Sequence, residues 1–146
     1  MKTALLDLNI LTALLWPAHE HHAAAHEWFG GRTRAAWASC PLTELGFVRL
    51  VSNPAFSRDA LSPADAVAVL AENLVDPRHE FWPDSIAVPE ATKGVDAMLT
   101  GHRQVTDAYL IALAERRKGV VATFDRGLRA LAERAGLHCV EIVPIR

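Results

Sequence analysis

Four acidic residues, Asp7, Glu44, Asp107 and Asp125, sit where carboxylates can do chemistry. Asp7 closes the apolar run Thr3-Ala4-Leu5-Leu6, and Asp125 closes Val120-Val121-Ala122-Thr123-Phe124. Glu44 lies one turn into a helix that follows a strand, and Asp107 falls in the first turn of another helix. Carboxylates at strand ends and helix starts can meet on one rim of a parallel sheet. Held close, they repel and raise one another's pKa. A hard divalent cation removes that penalty, and Mg2+ or Mn2+ prefers such oxygen ligands. A bound cation takes one or two carboxylates directly, and the others hold its waters by hydrogen bonds. No Cys/His set accompanies these acids, which disfavours zinc. No Ser, Cys or His nucleophile is paired with a base, so attack by water is the simplest reaction. Phosphodiester hydrolysis fits.

Each acid also has a plainer reading. Asp7 and Asp125 suit N-caps, Asp107 suits the positive end of a helix dipole, and Glu44 suits a solvated helix face. Their joint place on one edge favours function, because carboxylate clusters in clefts tend to be functional. Asp59, Asp65, Asp76, Asp84, Glu115 and Glu133 fall in loops or on helix faces instead. Thr106 and Thr123 flank the acids and could fix them or their waters. Asn9 could support Asp7 or cap the first helix. Arg49, Arg103 and Arg126 are candidates for phosphate contact. A histidine cluster, His19, His21, His22 and His26, invites a zinc reading through the i, i+4 pair His22/His26. Zinc needs a third ligand of defined geometry, so polar histidines at a helix start are the preferred reading. The four tryptophans suit the core or a partner face better than base stacking.

These residues need a frame. Buried strands are expected at residues 3–6, 35–40, 79–83, 120–124 and 139–143. Helices are expected from Asn9 to Trp16, stopped by Pro17, and over the His19–Phe29 stretch with Gly30-Gly31 as its exit. More follow from Pro41 to Leu50 and from Ser62 to Leu74. The helix carrying Asp107 should end at Gly119, and one after Asp125 should end at Gly136. Residues 85–99 read as a loop with one short helix. Alternating strands and helices imply a parallel sheet covered on both faces. Ligands of such sheets bind beyond the carboxyl ends of the strands.

The 146 residues fit one domain, 1–146, with a real core. A net charge of −2 is not a basic nucleic-acid coat, so broad attraction would not hold a polyanion. Local arginines and a bound cation would have to do so. Cys40 and Cys139 each lie in an apolar run and read as buried, reduced thiols. The apolar N-terminal stretch is interrupted by Asp7 and Asn9 and is too short to span a bilayer. It lacks a basic leader, so a cytoplasmic protein is expected.

The motifs Leu6-Asp7-Leu8-Asn9, Leu42-Thr43-Glu44, Val105-Thr106-Asp107-Ala108-Tyr109-Leu110 and Ala122-Thr123-Phe124-Asp125-Arg126-Gly127-Leu128 together resemble the PIN-domain ribonucleases. The likeness is greatest to the VapC toxins of VapBC toxin–antitoxin pairs, and it covers essentially the whole chain. The resemblance implies a three-layer α/β/α sandwich with a central parallel sheet. It implies a Mg2+- or Mn2+-dependent ribonuclease that cuts structured RNA such as tRNA or rRNA. Asp7 and Asp107 would be the foremost metal ligands, with Glu44 and Asp125 completing the site. It further implies a homodimer and a cognate VapB-type antitoxin. Three rivals stand beside it. A haloacid-dehalogenase-type phosphohydrolase wants a second Asp where Asn9 stands. A phospho-receiver module wants a late Lys at a strand end, whereas Lys118 precedes its strand. A catalytically silent PIN-like RNA binder would keep the same acids.

Overall fold

The computed structural model of the chain describes residues 1–145, so the domain expected over 1–146 is described but for Arg146. Five strands form one sheet: β1 (Ala4–Leu6), β2 (Trp37–Ser39), β3 (His79–Phe81), β4 (Val120–Thr123) and β5 (Val140–Ile142). Their order is β3-β2-β1-β4-β5, and every pairing is parallel. All five strands lie within the expected stretches and are shorter by a few residues. β1 and β2 are wholly buried and β4 nearly so, consistent with their unbroken apolar runs.

Among the described residues seven helices cover the sheet: α1 (Leu8–Leu15), α2 (His22–Gly30), α3 (Pro41–Val51), α4 (Pro63–Leu74), α5 (Val88–Ala91), α6 (Arg103–Arg116) and α7 (Arg126–Arg134). The pleat sorts the strand residues between two cores. Leu5, Ala38 and Val121 pack under Leu110, Leu113 and Leu131 of α6 and α7. Ala4, Leu6, Trp37 and Ala122 pack under Ile10, Phe47 and Leu70 of α1, α3 and α4. The result is the expected three-layer sandwich. Side chains such as Leu6, Leu11 and Phe47 are 0–1% exposed, and each contributes roughly 1.5–3 kcal/mol by leaving water.

Local chemistry sets the helix ends. Pro41 and Pro63 each occupy the first position of a helix, where a missing N–H costs nothing. The Ser62 side chain caps α4 by accepting the Asp65 N–H. Two details differ from the sequence reading. Asp107 is not in the first turn of α6; the helix starts at Arg103 and carries Asp107 in its second turn. α6 also ends before Gly119, at Arg116, and Lys118 takes the left-handed conformation, φ 57°. Gly119 has a different duty, since a Cβ there would lie 2.6 Å from the Thr3 carbonyl oxygen and 2.7 Å from the Trp82 ring. Residues 85–99 form α5 and a short 3-10 turn, Asp96–Met98.

The strand order reverses about β1: β2 and β3 lie on one side, β4 and β5 on the other. The crevice beyond the carboxyl ends of β1 and β4 is therefore the topological switch point, where such sheets bind ligands.

Candidate active site

Asp7 and Asp125 flank that crevice. Asp7 leaves β1 with its N–H still bonded to the Ala122 carbonyl of β4 (3.0 Å). Its Oδ1 accepts the Leu8 N–H at 2.8 Å as the N-cap of α1. Asp125 caps α7 in the same way, Oδ1 accepting the Gly127 N–H at 2.8 Å. The capping role and the rim position thus coincide, because a helix that starts where a strand stops needs an acceptor there. One oxygen of Asp7 is used by the cap and the other turns to Thr123.

Thr123 is the node of the crevice. Its side chain is fully buried, and its one hydroxyl hydrogen goes to Asp7 Oδ2 at 2.7 Å. Its oxygen accepts the Asp125 N–H (3.0 Å) and the Asn9 side-chain amide (3.3 Å). One donor and two acceptor sites complete what a hydroxyl can do. Asn9 also accepts the Phe124 N–H at 3.4 Å, so it ties the start of α1 to the end of β4 and caps nothing.

Asp107 enters from α6. Burial, then the charges of Asp7 and Asp125, push its carboxyl up to about 6. Burial also raises Asp7, against the Thr123 and Leu8 hydrogen bonds, and the Asp125 charge raises it further. Three aspartates drawn from three elements therefore feel one another, and nothing cationic among the described residues relieves them.

Glu44 stands apart. It lies in the first turn of α3, where its Oε2 accepts the Ser39 hydroxyl at 2.7 Å. Ser39 is fully buried in β2 and also contacts His79 Nε2 at 2.8 Å. Burial pulls the His79 imidazole below its ordinary value, while Glu44, Asp76, the Leu74 carbonyl and Glu80 draw it back up. Sequence reading missed both Ser39 and His79. The parallel pairing of β2 with β3 brings them together across 40 residues, and no local motif announces it.

The remaining candidates scatter. Thr106 is exposed and lines a groove of about 420 Å3 with Leu42, Asp84, Val105 and Tyr109. Arg49, Arg103 and Arg126 are exposed, and none forms an ion pair among the described residues. The histidine cluster divides. A ring nitrogen of His22 meets the Ala13 carbonyl at 2.7 Å, and one of His26 meets the Leu14 carbonyl at 2.9 Å. Both donate to the open carbonyl end of α1, a structural task for nitrogens that a zinc site would need. His21 packs its ring against Phe124.

The donor set fits a hard cation. All the ligand candidates are carboxylates, and the charges of Asp7, Asp107 and Asp125 act on one another with no cation among the causes at Asp7 or Asp107. As placed, no three His, Cys, Asp or Glu side chains among the described residues form a ready-made cage.

Known proteins agree with this architecture. The PIN domain family matches residues 4–134. The chain is 44% identical to Ribonuclease VapC39 of Mycobacterium tuberculosis over 97% of its length and 99% of that protein's. It is 42% identical to Ribonuclease VapC38 of the same organism, again over 97% and 99%. Among solved structures, VapBC2 from Rickettsia felis bound to a DNA fragment from its promoter superposes with a TM-score of 0.65. That match spans 97% of this chain and 99% of the other at 11% identity, and so speaks to the fold alone. With matches across nearly its full length, the chain belongs to the PIN-domain family, among the VapC proteins.

Proposed function

We propose that this protein is the toxin of a VapBC-type pair, a ribonuclease that needs Mg2+ or Mn2+ and cuts structured RNA such as tRNA or rRNA. One observation carries the reading: the Asp107 carboxyl is driven up to about 6 by burial beside Asp7 and Asp125 at the switch point. Such a group is matched to a missing positive charge. When bound, a divalent cation supplies that charge, polarises water and steadies the charge growing on the phosphoryl oxygens.

The chain's own residues do the rest. Asp7 is held by the Leu8 N–H and the Thr123 hydroxyl, so one fixed carboxylate faces the crevice without reorganisation. Asp125 is pinned by its capping bond. Asp107, its carboxyl pushed up to about 6, would help hold the cation together with Asp7 and Asp125, and would do so as the deprotonated carboxylate. In hydrolysis water adds to phosphorus, the bond to the leaving oxygen breaks, and the proton that the attacking water loses ends on that oxygen. Exposed Arg103 and Arg126, near the acids in sequence, are the candidates for contact with the RNA backbone. A cognate antitoxin with a basic tail would suit the same acidic crevice, and a homodimer suits the family.

The experiment uses total RNA with Mg2+, with Mn2+ and with chelator, beside Asp7→Asn and Asp107→Asn. Metal-dependent cutting lost in both variants is the expected result. RNA retained without cutting would favour a silent binder, and phosphate released from small phosphoesters without RNA cutting would favour a phosphohydrolase.

A further inference from the structure

Glu44 is held by a pair of residues that no sequence motif points to. The Ser39 hydroxyl has one hydrogen, and Glu44 Oε2 at 2.7 Å can only accept it. With that hydrogen on Glu44, the second short contact of the same oxygen, to His79 Nε2 at 2.8 Å, takes its hydrogen from the imidazole, for which the Leu74 carbonyl competes. The relay then runs from His79 Nε2–H to Ser39, and from Ser39 to Glu44. Ser39 is fully buried and β2 and β3 fix its position relative to His79, so it cannot turn to water. The His79 ring also lies against Trp37, with centroids 4.5 Å apart and planes tilted by 52°, and the Trp37 indole N–H donates to Asp76. Nothing comparable is needed for a helix glutamate on a solvated face.

We propose that Ser39 and His79 are positioning residues that aim the Glu44 carboxylate at the edge of the crevice. The proposal rests on the ribonuclease reading for Glu44's purpose, but not for the relay itself. The relay sets which rotamer Glu44 presents when RNA and cation arrive, and Ser39, being sealed from solvent, is no nucleophile.

Two measurements test it. The first is nitrogen-15 NMR of the His79 ring near pH 7, with chelator present. A hydrogen on Nε2 in the wild type, and a changed ring signature in Glu44→Ala, are expected. A ring carrying its hydrogen on Nδ1 alone would overturn the relay whether or not the protein cuts RNA, because Ser39 would then donate to His79 and release Glu44. The second measurement is RNA cleavage by Ser39→Ala, His79→Phe and His79→Gln, each checked for native melting. Ser39→Ala and His79→Phe should lose about tenfold in kcat or in apparent cation affinity, the usual scale for residues behind a metal ligand, with KM for RNA unchanged. His79→Phe keeps a ring against Trp37 but not the donor; His79→Gln restores a donor near the Nε2 position and should recover most of the loss. Equal activity in Phe and Gln variants would overturn the positioning role. A wild type that never cuts RNA would sink the ribonuclease reading instead, leaving the NMR result to decide the relay.

Discussion

Thr123 Oγ1 and Asp7 Oδ2 lie 2.7 Å apart across 116 residues of chain. The bond lowers the Asp7 carboxyl against the burial that raises it. Thr123→Val removes it and leaves the Asp125 N–H and the Asn9 amide without their acceptor. The Asp7 carboxyl should then rise further, so the acid limb of the cleavage pH profile moves to higher pH. The protein should also lose about 1–3 kcal/mol of stability. A pH–rate series and a urea melt check both, and a profile that superposes on the wild type would count against Asp7 as a working group.

Asp107 makes stability depend on pH in the direction opposite to a salt-bridged carboxylate. Its folded pKa, about 6, lies above the ordinary aspartate value of 3.8. Between those values the folded state binds more protons than the unfolded one, so stability falls as pH rises through the window. With chelator present, the protein should lose on the order of 1–2 kcal/mol from this group between pH 4 and pH 7, after allowance for partial solvent screening. Asp107→Asn should flatten that slope and stabilise the protein at pH 7. Thermal melts across the range measure it, and a wild-type slope unchanged in the variant would refute the assignment.

A cation that relieves the same repulsion must stabilise the folded state. Mn2+ or Mg2+ at a hundred times its dissociation constant should add about 2.7 kcal/mol. Melting at pH 7.5 should rise with added ion and rise less in Asp107→Asn. Equal shifts in both proteins would place the ion elsewhere.

Much of this was legible in the sequence, and the exceptions have causes. Strand runs such as Val120–Thr123 are apolar on both faces, and Pro and Gly punctuate the helices, so the five strands and the sandwich were readable. The rim beyond the strands' carboxyl ends followed from alternation, but the switch point needed the strand order, and of the four expected acids Asp7, Asp107 and Asp125 influence one another's charge. Side-chain direction was not readable: Glu44 turns to Ser39 because β2 and β3 pair, a fact of tertiary register. Gly119 looked like a helix stop because glycine often is one, yet Lys118 accepts the left-handed φ. The histidine cluster looked like a ligand set, but the open end of α1 takes two of its members.

Gly119→Ala tests that reassignment. The added methyl must push against backbone at Thr3 as well as the Trp82 ring, and neither is a flexible chain end. A loss of at least 1–3 kcal/mol is expected by urea denaturation. A near-neutral result would mean that β1 and β4 can part slightly without harm.

Cys139 is buried, and burial pushes its thiol up to about 11. The thiolate is the reactive form, so native protein at pH 8 should react with a thiol reagent far more slowly than urea-unfolded protein. Cys40, also buried and raised, should behave alike. Fast labelling of the native state by mass spectrometry would contradict the packing.

The late strand β4 enters the sheet beside the very first one, and it brings with it the hydroxyl that seats Asp7. A nascent chain therefore carries its first acid through most of synthesis with no partner to aim it. Only when the last fifth of the polypeptide is free to dock does β4 complete that crevice, so the site is among the last parts of the molecule to be assembled.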